Sequence, residues 1–334
     1  MIEGEGMKAL AIRKFGGPEV LELERLAQPR PGRNEVLIRV TGGSVNPIDI
    51  KVRSGVVPGL AGDFPWVPGL DFVGTVEALG EGVEGFQVGE TVCGFGRGCA
   101  AEFAVAASAH TIRLPVGVKA DDAAVLPVVG ITAWEAVMER CRIQPGDSVL
   151  VHGGCGGVGH LAVQLAALAG GKVTATVSTE LKAGLVRQLG AEAVVLYPEE
   201  QVEDYVKRCT AGEGFRWVID TVGGENLSKS FAAVGPFGTV VTIAARATVD
   251  LSPLHAKAAT LEVVFMMLAR LKKRGMDRQG AALERLLELL GAGRLSIIRD
   301  EPLEGLESIA DLHRRMESGG VIGKLGYRLA SQGG

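Results

Sequence analysis

The chain has 334 residues, of which 47% are hydrophobic and 22% are charged, a composition typical of a globular protein large enough for two domains. The formal net charge of −4 favours neither nucleic acid nor an anionic membrane as a partner, and no stretch has the length and apolarity of a membrane span. The cysteines are irregularly spaced and odd in number, at Cys93, Cys99, Cys141, Cys155 and Cys209. A disulfide framework is therefore not expected, and we predict a cytoplasmic protein with reduced thiols.

Short β-rich segments dominate the first third of the chain. Residues 1–6 are expected to form an unstructured leader, and from Met7 to about residue 125 apolar or alternating runs are separated by turns rich in Gly and Pro. The predicted strands are Lys8–Ile12, Val20–Arg25, Glu35–Val45, Phe72–Leu79 and Ala101–Val105. This pattern predicts a compact β-rich barrel with few helices.

A different pattern follows the long helical run of residues 123–142, which is interrupted at Pro127 and Gly130. From residue 148 strands and helices alternate, and such alternation predicts a parallel sheet covered by helices on both faces. The expected strands are Ser148–His152, Lys172–Val177, Ala193–Leu196, Trp217–Asp220 and Thr239–Ile243, and two of the expected helices are Val158–Ala169 and Glu180–Leu189.

The last part of the chain is helical at Arg278–Gly291 and Ile309–Glu317 and strand-like at Gly323–Leu329. This tail is too short to fold alone, so we expect it to return to the N-terminal barrel. The predicted fold class is α/β with two domains. One is a barrel domain of residues 7–125 completed by residues 269–334, and the other is a doubly wound parallel-sheet domain of residues 126–268.

The strongest functional signal is a glycine-rich loop between a predicted strand and a predicted helix. The loop has a G-x-G-x-x-G pattern made of Gly154, Cys155, Gly156, Gly157, Val158 and Gly159. A pyrophosphate must approach backbone N–H groups at the positive end of such a helix, and side chains would block it. The alternative is that these glycines serve only a tight turn. The strand–loop–helix context favours a Rossmann-type dinucleotide site.

Residues after the second strand of this region bear on the choice between NADP and NAD. NAD sites usually place an acidic residue there, on the ribose 2′-hydroxyl, whereas this strand ends in Ser178 and Thr179, and Lys182 follows. A hydroxyl and an ammonium group would bind a 2′-phosphate. Glu180 could partly offset Lys182, and the alternative is that Ser178 only caps the helix while Lys182 is solvated. We predict NADPH as the preferred cofactor.

Four short segments occur in a specific order. Residues 44–55 are S-V-N-P-I-D-I-K-V-R-S-G, residues 68–74 are P-G-L-D-F-V-G, residues 131–134 are I-T-A-W and residues 220–224 are D-T-V-G-G. They resemble segments of the medium-chain dehydrogenase/reductase superfamily, and within it of the quinone oxidoreductases and enone reductases. The resemblance covers the chain from Met7 onward. It implies a GroES-like barrel domain and a Rossmann NADP-binding domain.

Zinc ligands are missing where related alcohol dehydrogenases carry them. Those relatives have a Cys near the position of Asn46 and a G-H-E segment where residues 69–71 stand, whereas Cys93 and Cys99 lack the two further cysteines of a structural zinc site. Zinc is therefore not expected. Without a Lewis acid, quinones and α,β-unsaturated carbonyl compounds are the favoured acceptors, because hydride attack on them gives a delocalised anion.

Asn46, Lys51 and Asp71 are the candidate catalytic residues. The resemblance implies that Lys51 lies near the nicotinamide ribose and the substrate carbonyl, and the alternative is a solvated helix lysine. Asp71 could orient a donor such as Lys51 or could only cap a turn. Further candidate cofactor contacts, each with an alternative role in packing or at the surface, are Thr132 and Tyr197 by resemblance and Val222 and Ile243 by their place at strand ends. No proton donor stands out, so we expect solvent to protonate the product.

The predicted function is a zinc-independent, NADPH-dependent reductase of quinones or α,β-unsaturated carbonyl compounds that uses direct hydride transfer. The alternative from a different class is a non-catalytic NADPH-binding protein, such as a redox sensor or a stable binding protein. Asn46, Lys51 and Thr132 favour the enzyme, because a pure binder needs only the nucleotide half. The resemblance also implies a homodimer formed through an edge strand near Leu261–Phe265.

Overall fold

A computed structural model describes residues 6–330, so residues 1–5, which hold most of the expected leader, and residues 331–334 lie outside the described part. The chain divides into two compact units. Unit 1 comprises the residues up to 128 together with 273–294 and those from 299 onward, and unit 2 comprises residues 129–272 and 295–298. The domain boundaries predicted from the sequence are residues 7–125 with 269–334 for one domain and 126–268 for the other. They remain predictions.

Short strands come first along the chain, and strands and helices alternate after residue 148. The strands are β1 (Gly6–Ala11), β2 (Glu22–Ala27), β3 (Glu35–Val45), β4 (Asp71–Leu79), β5 (Thr91–Phe95), β6 (Phe103–Ala107), β7 (Thr111–Arg113), β8 (Ser148–His152), β9 (Lys172–Val177), β10 (Ala193–Leu196), β11 (Phe215–Asp220), β12 (Val234–Thr242), β13 (Thr260–Val263), β14 (Leu303–Glu304) and β15 (Leu325–Arg328). The α-helices are α1 (Pro47–Arg53), α2 (Ala120–Val125), α3 (Pro127–Trp134), α4 (Gly159–Leu168), α5 (Glu180–Gln188), α6 (Val202–Thr210), α7 (Asn226–Ala233), α8 (Ser252–Ala256), α9 (Met267–Lys272), α10 (Met276–Gly291) and α11 (Ile309–Glu317).

The helical run expected over residues 123–142 is divided into three pieces. Helix α2 ends before Pro127, which has no N–H to continue it, and α3 starts there. The last piece, Glu135–Arg140, is a π-helix. The predicted interruption at Pro127 is therefore present, whereas Gly130 lies inside α3 without breaking it.

A seven-stranded sheet forms the body of unit 1. Its strand order is β14-β15-β3-β4-β5-β7, and β6 also pairs with β3. Strand β15 is antiparallel to β3, with Leu325 opposite Val45. The tail also contributes to the core, where Leu312 and Leu325 pack in one hydrophobic cluster with Leu10 and Ile12. The C-terminal segment thus completes the sheet begun by the N-terminal strands.

A six-stranded parallel sheet forms the centre of unit 2, in the order β10-β9-β8-β11-β12-β13. The chain runs outward in one direction from β8 to β10 and in the other from β11 to β13, so the order reverses between β8 and β11. At such a point the carboxyl ends of the two strands leave a crevice for a ligand. His152 and Asp220 are the paired last residues of these strands. The sheet is of the doubly wound type that the alternating pattern predicted.

Large apolar side chains hold the sheet and helices of unit 2 together. Phe215 and Phe231 are buried in one cluster with Leu150, Val218 and Tyr205, and the burial of each such apolar side chain contributes about 1.5–3 kcal/mol to folding. In residues 6–330 no α-helix combines the length and apolarity needed to cross a membrane.

Candidate active site

The glycine-rich loop joins the carboxyl end of β8 to α4, at the reversal of strand order in unit 2. The N–H of Gly153 donates to Thr176 Oγ1 (3.1 Å) and that of Gly154 to the Thr176 carbonyl oxygen (3.0 Å), which holds the loop against β9. Helix α4 begins at Gly159. The unpaired N–H groups and the dipole at the start of a helix favour an anion, so this loop can receive a phosphate group.

The glycines of the pattern are required for two different reasons. A Cβ atom on Gly159 would lie 2.0 Å from the carbonyl oxygen of Gly153, and one on Gly154 would lie 2.9 Å from the Cβ of Ala175. The first side chain would force the start of α4 away from the beginning of the loop, and the second would push the loop away from β9. A Cβ on Gly156 would meet only the Gly153 oxygen, at 3.3 Å, so this glycine leaves the backbone open to a ligand. The loop therefore fits a pyrophosphate.

The other loop residues, Cys155, Gly157 and Val158, lead the chain into α4, with Val158 as the N-cap. Cys155 is buried and its thiol donates to the carbonyl oxygen of Lys182 (3.3 Å). Burial raises the pKa of this thiol. A reactive cysteine needs a lowered pKa, so the raised pKa does not mark Cys155 as a nucleophile. Its hydrogen bond instead ties the loop to α5.

Ser178 and Lys182 meet at the carboxyl end of β9. Lys182 Nζ donates to Ser178 Oγ (3.2 Å), and both residues are half-buried. The N-cap of α5 is Thr179, whose side chain accepts from the Lys182 N–H, so Ser178 is not the cap. Glu180 lies 3.8 Å from Arg187. This pair is exposed and therefore weak, while the Lys182 ammonium group bonds to Ser178.

The remaining candidate cofactor contacts lie in unit 2, three of them at the carboxyl edge of its sheet. Tyr197 follows β10, is exposed, and donates its N–H to the carbonyl oxygen of Val177, the last residue of β9 (3.1 Å). Val222 follows β11 and is exposed, and Ile243 follows β12 and is half-buried. Thr132 is instead a buried residue of α3.

A carboxylate to which the sequence analysis gave no role organises the turn after β11. Asp220 is buried, and its Oδ1 accepts from the N–H groups of Val222 and Gly223, both at 2.8 Å. Its Oδ2 accepts from Ser230 Oγ (2.7 Å) and Asn226 Nδ2 (3.1 Å). Four donors therefore fix the turn that presents Val222. The available signal was an Asp that ends an apolar strand just before two glycines.

In unit 1, polar side chains from distant parts of the sequence form what we call the Asp71 cluster, defined as Ser44, Asn46, Asp71 and Lys324. Asp71 Oδ2 accepts from Ser44 Oγ and from Asn46 Nδ2 (2.8 Å), and Asp71 Oδ1 accepts from the Val128 N–H (2.7 Å). Lys324 Nζ lies 3.6 Å from Asp71 Oδ2. All four residues are at most 2% exposed. The cluster is a buried ion pair whose carboxylate is fully hydrogen-bonded, as burial requires.

Asn46 is also the N-cap of α1. Its backbone N–H donates to Asp49 Oδ2 (2.8 Å), while Asp49 Oδ1 accepts from the Gly69 N–H (3.1 Å). Burial raises the pKa of Asp49 to about 6, although the two backbone hydrogen bonds act against that shift. The start of α1 is thereby joined to the segment that precedes β4.

The structure brings two of the three candidate catalytic residues together and leaves the third apart. Asn46 and Asp71 bond to each other, whereas Lys51 lies in the last turn of α1 with its side chain exposed. The cation beside Asp71 is Lys324, and not Lys51, which the sequence had offered as one of two possibilities. Sequence reasoning missed Lys324, whose only signal was a lysine at the start of an apolar, strand-like segment.

Potential metal ligands are dispersed in the described part of the chain. Residues 6–330 contain no group of three or more His, Cys, Asp or Glu side chains arranged to hold a metal ion. The five cysteines are free thiols. Burial raises the pKa of Cys93 and of Cys141 to about 12.

Comparisons with known proteins agree with this architecture. The family described as "Alcohol dehydrogenase GroES-like domain" matches residues 32–116, and the family described as "Zinc-binding dehydrogenase" matches residues 157–281. Human quinone oxidoreductase is 32% identical over 326 residues, which cover 96% of this chain and 97% of the human one. Among solved structures, the Pseudomonas syringae quinone oxidoreductase has a TM-score of 0.87 at 28% identity and covers 96% of this chain and 99% of its own. A mycobacterial protein solved in complex with NADPH has a TM-score of 0.85 at 30% identity, with the same coverage of 96% and 99%.

The fold and the two sets of polar residues define a two-unit oxidoreductase with a Rossmann-type nucleotide site. The chain belongs to the medium-chain dehydrogenase/reductase superfamily and is quinone oxidoreductase-like within it. The resemblance seen in the four short segments is thus confirmed, as is the fold class of a GroES-like domain with a Rossmann-type parallel sheet. A nicotinamide cofactor follows from this membership.

Proposed function

We propose that the protein is a zinc-independent, NADPH-dependent reductase of quinones or α,β-unsaturated carbonyl compounds. The observation that carries the choice of NADPH is the Ser178–Lys182 pair at the end of β9. A hydroxyl and an ammonium group at this place would donate to a 2′-phosphate, which an Asp or Glu would repel. The structural neighbour solved with NADPH is consistent with this choice.

Different residues of unit 2 would contact different parts of the cofactor. The open backbone at Gly156 and the start of α4 would hold the pyrophosphate. Candidates for the 2′-phosphate end are Ser178, Lys182 and Tyr197, and candidates for the nicotinamide end are Thr132, Val222 and Ile243. When bound, the cofactor supplies a hydride, and the protein contributes its orientation toward the acceptor.

Quinones and enones fit a site without a metal because their reduced forms delocalise negative charge. The polar atoms of Asn46 and Asp71, which stand where related alcohol dehydrogenases have zinc ligands, are committed to each other and to Lys324. The human relative is named quinone oxidoreductase. Lys51, with its exposed ammonium group, is the candidate donor to the oxygen on which charge develops, and solvent protonates the product.

The first test follows the oxidation of NADPH and of NADH with an ortho-quinone, a para-quinone and a 2-alkenal as acceptors. We expect NADPH to be oxidised faster than NADH, and the preferred acceptor to separate quinone from enone reduction. Lys51→Met is expected to lower kcat by about tenfold or more without changing the Kd of NADPH, while Lys14→Met, which removes an exposed lysine of unit 1, has no effect. Tight NADPH binding without turnover of any acceptor would favour the non-catalytic NADPH-binding protein.

We also propose a cytoplasmic homodimer that pairs through β13. This strand is the edge of the unit 2 sheet, and an edge strand offers unpaired backbone groups to a second copy. Val263 and Phe265 near its end are exposed, and the free cysteines suit a reducing compartment. Light scattering at micromolar concentration should give twice the chain mass, and Val263→Asp should give a monomer; a wild-type protein of monomer mass would contradict the proposal.

A further inference from the structure

We propose that Lys324 is a positioning residue for the reaction: its buried ammonium group orients Asn46 and balances Asp71, and so fixes helix α1, which carries Lys51. The proposal rests on the role proposed above for Lys51. Lys324 comes from the C-terminal segment and lies at the start of β15, far in sequence from the helix it would hold.

The side-chain amide of Asn46 is held at both ends. Asn46 Oδ1 accepts from Lys324 Nζ (2.6 Å), and Asn46 Nδ2 donates to Asp71 Oδ2 (2.8 Å). Lys324 Nζ also donates to the carbonyl oxygen of Val45 (3.1 Å). Turning the amide around would set its NH2 against an ammonium group and its oxygen against a carboxylate, so one orientation is specified. Lys324 and Asp71 therefore act as a pair on Asn46.

Asn46 in turn controls the start of α1. The helix has seven residues, too few to be stable without support from neighbouring structure. Its support at the first turn is Asn46, whose side chain is held by the Lys324–Asp71 pair and whose backbone N–H is held by Asp49. Lys51 lies little more than one turn beyond this anchor. The far end of the helix is held by buried Arg53, which pairs with Glu317, so we expect a loss of order at Asn46 to reach Lys51 through the first turn of α1.

The charges of the site show why the cation is needed. Two buried carboxylates, Asp71 and Asp49, both interact favourably with the ammonium group of Lys324, whereas desolvation lowers the pKa of that lysine. Removing the cation leaves buried negative charge without a partner, which is strongly destabilising. A variant that removes only Lys324 therefore lowers the stability of the protein and displaces Asn46 at the same time. A second variant is needed to separate these two effects.

The test uses the full chain in five variants. Lys324→Met removes the ammonium group, and Asp71→Asn/Lys324→Met removes both members of the ion pair, so that the Asp71 charge is no longer left uncompensated and the double variant should fold even where the single variant does not. Asp49 keeps its hydrogen bonds from the Asn46 and Gly69 N–H groups in both variants. Lys51→Met and the triple combination report whether Lys324 acts through Lys51. Lys14→Met, at an exposed lysine of the same unit, is the matched control.

Two readouts distinguish positioning from stability. Hydrogen–deuterium exchange of residues 44–55 measures how often the start of α1 opens. The value of kcat at saturating NADPH measures the effect on the reaction. In Asp71→Asn/Lys324→Met we expect a wild-type Kd for NADPH, about tenfold faster exchange of this segment and a kcat lower by about tenfold. Adding Lys51→Met should lower kcat no further than Lys51→Met alone, because residues that act through one group are not additive.

Wild-type exchange of residues 44–55 and wild-type kcat in folded Asp71→Asn/Lys324→Met would overturn the proposal. Full additivity with Lys51→Met would also overturn it, since Lys324 would then act independently of Lys51. A wild-type kcat in Lys51→Met together with faster exchange in Asp71→Asn/Lys324→Met would refute the function proposed for Lys51, while it would support the role of Lys324 in fixing the start of α1.

Discussion

Replacing Gly159 by Ala tests the nucleotide loop at its tightest point. The new Cβ would lie 2.0 Å from the carbonyl oxygen of Gly153, a backbone atom that cannot rotate away as a side chain does. Because the packed atoms of protein interiors seldom approach within about 3 Å, the loop or the first turn of α4 must move by about 1 Å. That movement displaces the N–H groups that would bind the pyrophosphate.

Gly159→Ala should affect both the folding free energy and the Kd of NADPH. Overpacking of this kind costs about 1–3 kcal/mol of folding free energy. Each hydrogen bond to a charged group contributes about 1.5–3 kcal/mol, so the loss of one such bond should raise the Kd of NADPH by about tenfold to a hundredfold. We therefore expect Gly159→Ala to lower stability moderately and affinity strongly.

Gly184→Ala is the matched control for this prediction. Gly184 lies in α5 of the same unit, and a Cβ there would have no neighbour within 4 Å. An Ala in a helix is more favourable than a Gly by about 0.5–1 kcal/mol, so this variant should be slightly more stable and bind NADPH as the wild type does. Urea unfolding and NADPH fluorescence titration measure both quantities. Wild-type NADPH affinity in Gly159→Ala would refute the pyrophosphate site.

Three further substitutions test other parts of the structure. Lys182→Met should raise the Kd of NADPH by about tenfold, the value of one charge-assisted hydrogen bond, and leave that of NADH unchanged; equal effects on both would contradict the 2′-phosphate site. Lys324→Met should lower the free energy of unfolding by about 3–5 kcal/mol, whereas Asp71→Asn/Lys324→Met should recover most of it, and urea unfolding would contradict this if the double variant were no more stable. His313 is buried, and desolvation lowers its pKa to about 3 from 6.5. As the pH falls, the unfolded chain therefore binds a proton at His313 before the folded protein does. The contribution of the neutral side chain to stability is complete above pH 6.5 and is lost as the pH falls toward 3. His313→Leu should consequently retain about 2–3 kcal/mol more stability than wild type between neutral pH and about pH 4.5, and parallel pH profiles of the two proteins would rule this out.

Features encoded by neighbouring residues could be predicted from the sequence. The glycine loop needs only a strand, a helix and three glycines in between, and the strand Ser148–His152 was predicted with its observed limits. The pairing of Ser178 with Lys182 was also within reach, because Ser178 directly follows β9 and Lys182 lies in the first turn of α5, only four residues further along the chain. Short-range geometry was enough in each case.

The Asp71 cluster could not be predicted in the same way. Lys324 is 278 residues from Asn46 along the chain, and only the pairing of β15 with β3 brings the two together. A lysine is usually exposed, so nothing in the local sequence marks this one as buried. The possibility that Asp71 orients Lys51 rested on the place of Asp71 in a segment where relatives carry zinc ligands, whereas the sheet topology supplies a different cation.

If the protein is zinc-independent, as proposed, the cluster also bears on how a fold shared with zinc enzymes works without the metal. A buried carboxylate at Asp71 requires a positive partner, and Lys324 supplies that charge from within the chain. Restoring a single ligand, as in Asn46→Cys, would therefore not create a zinc site, because Asp71 would remain bonded to Ser44 and paired with Lys324. On the proposed function, the ammonium group of Lys324 is buried in the core, and the stabilisation of developing charge falls to an exposed group such as Lys51. The protein would then select acceptors by how well they delocalise charge themselves, which is why quinones and enones are the substrates to try first.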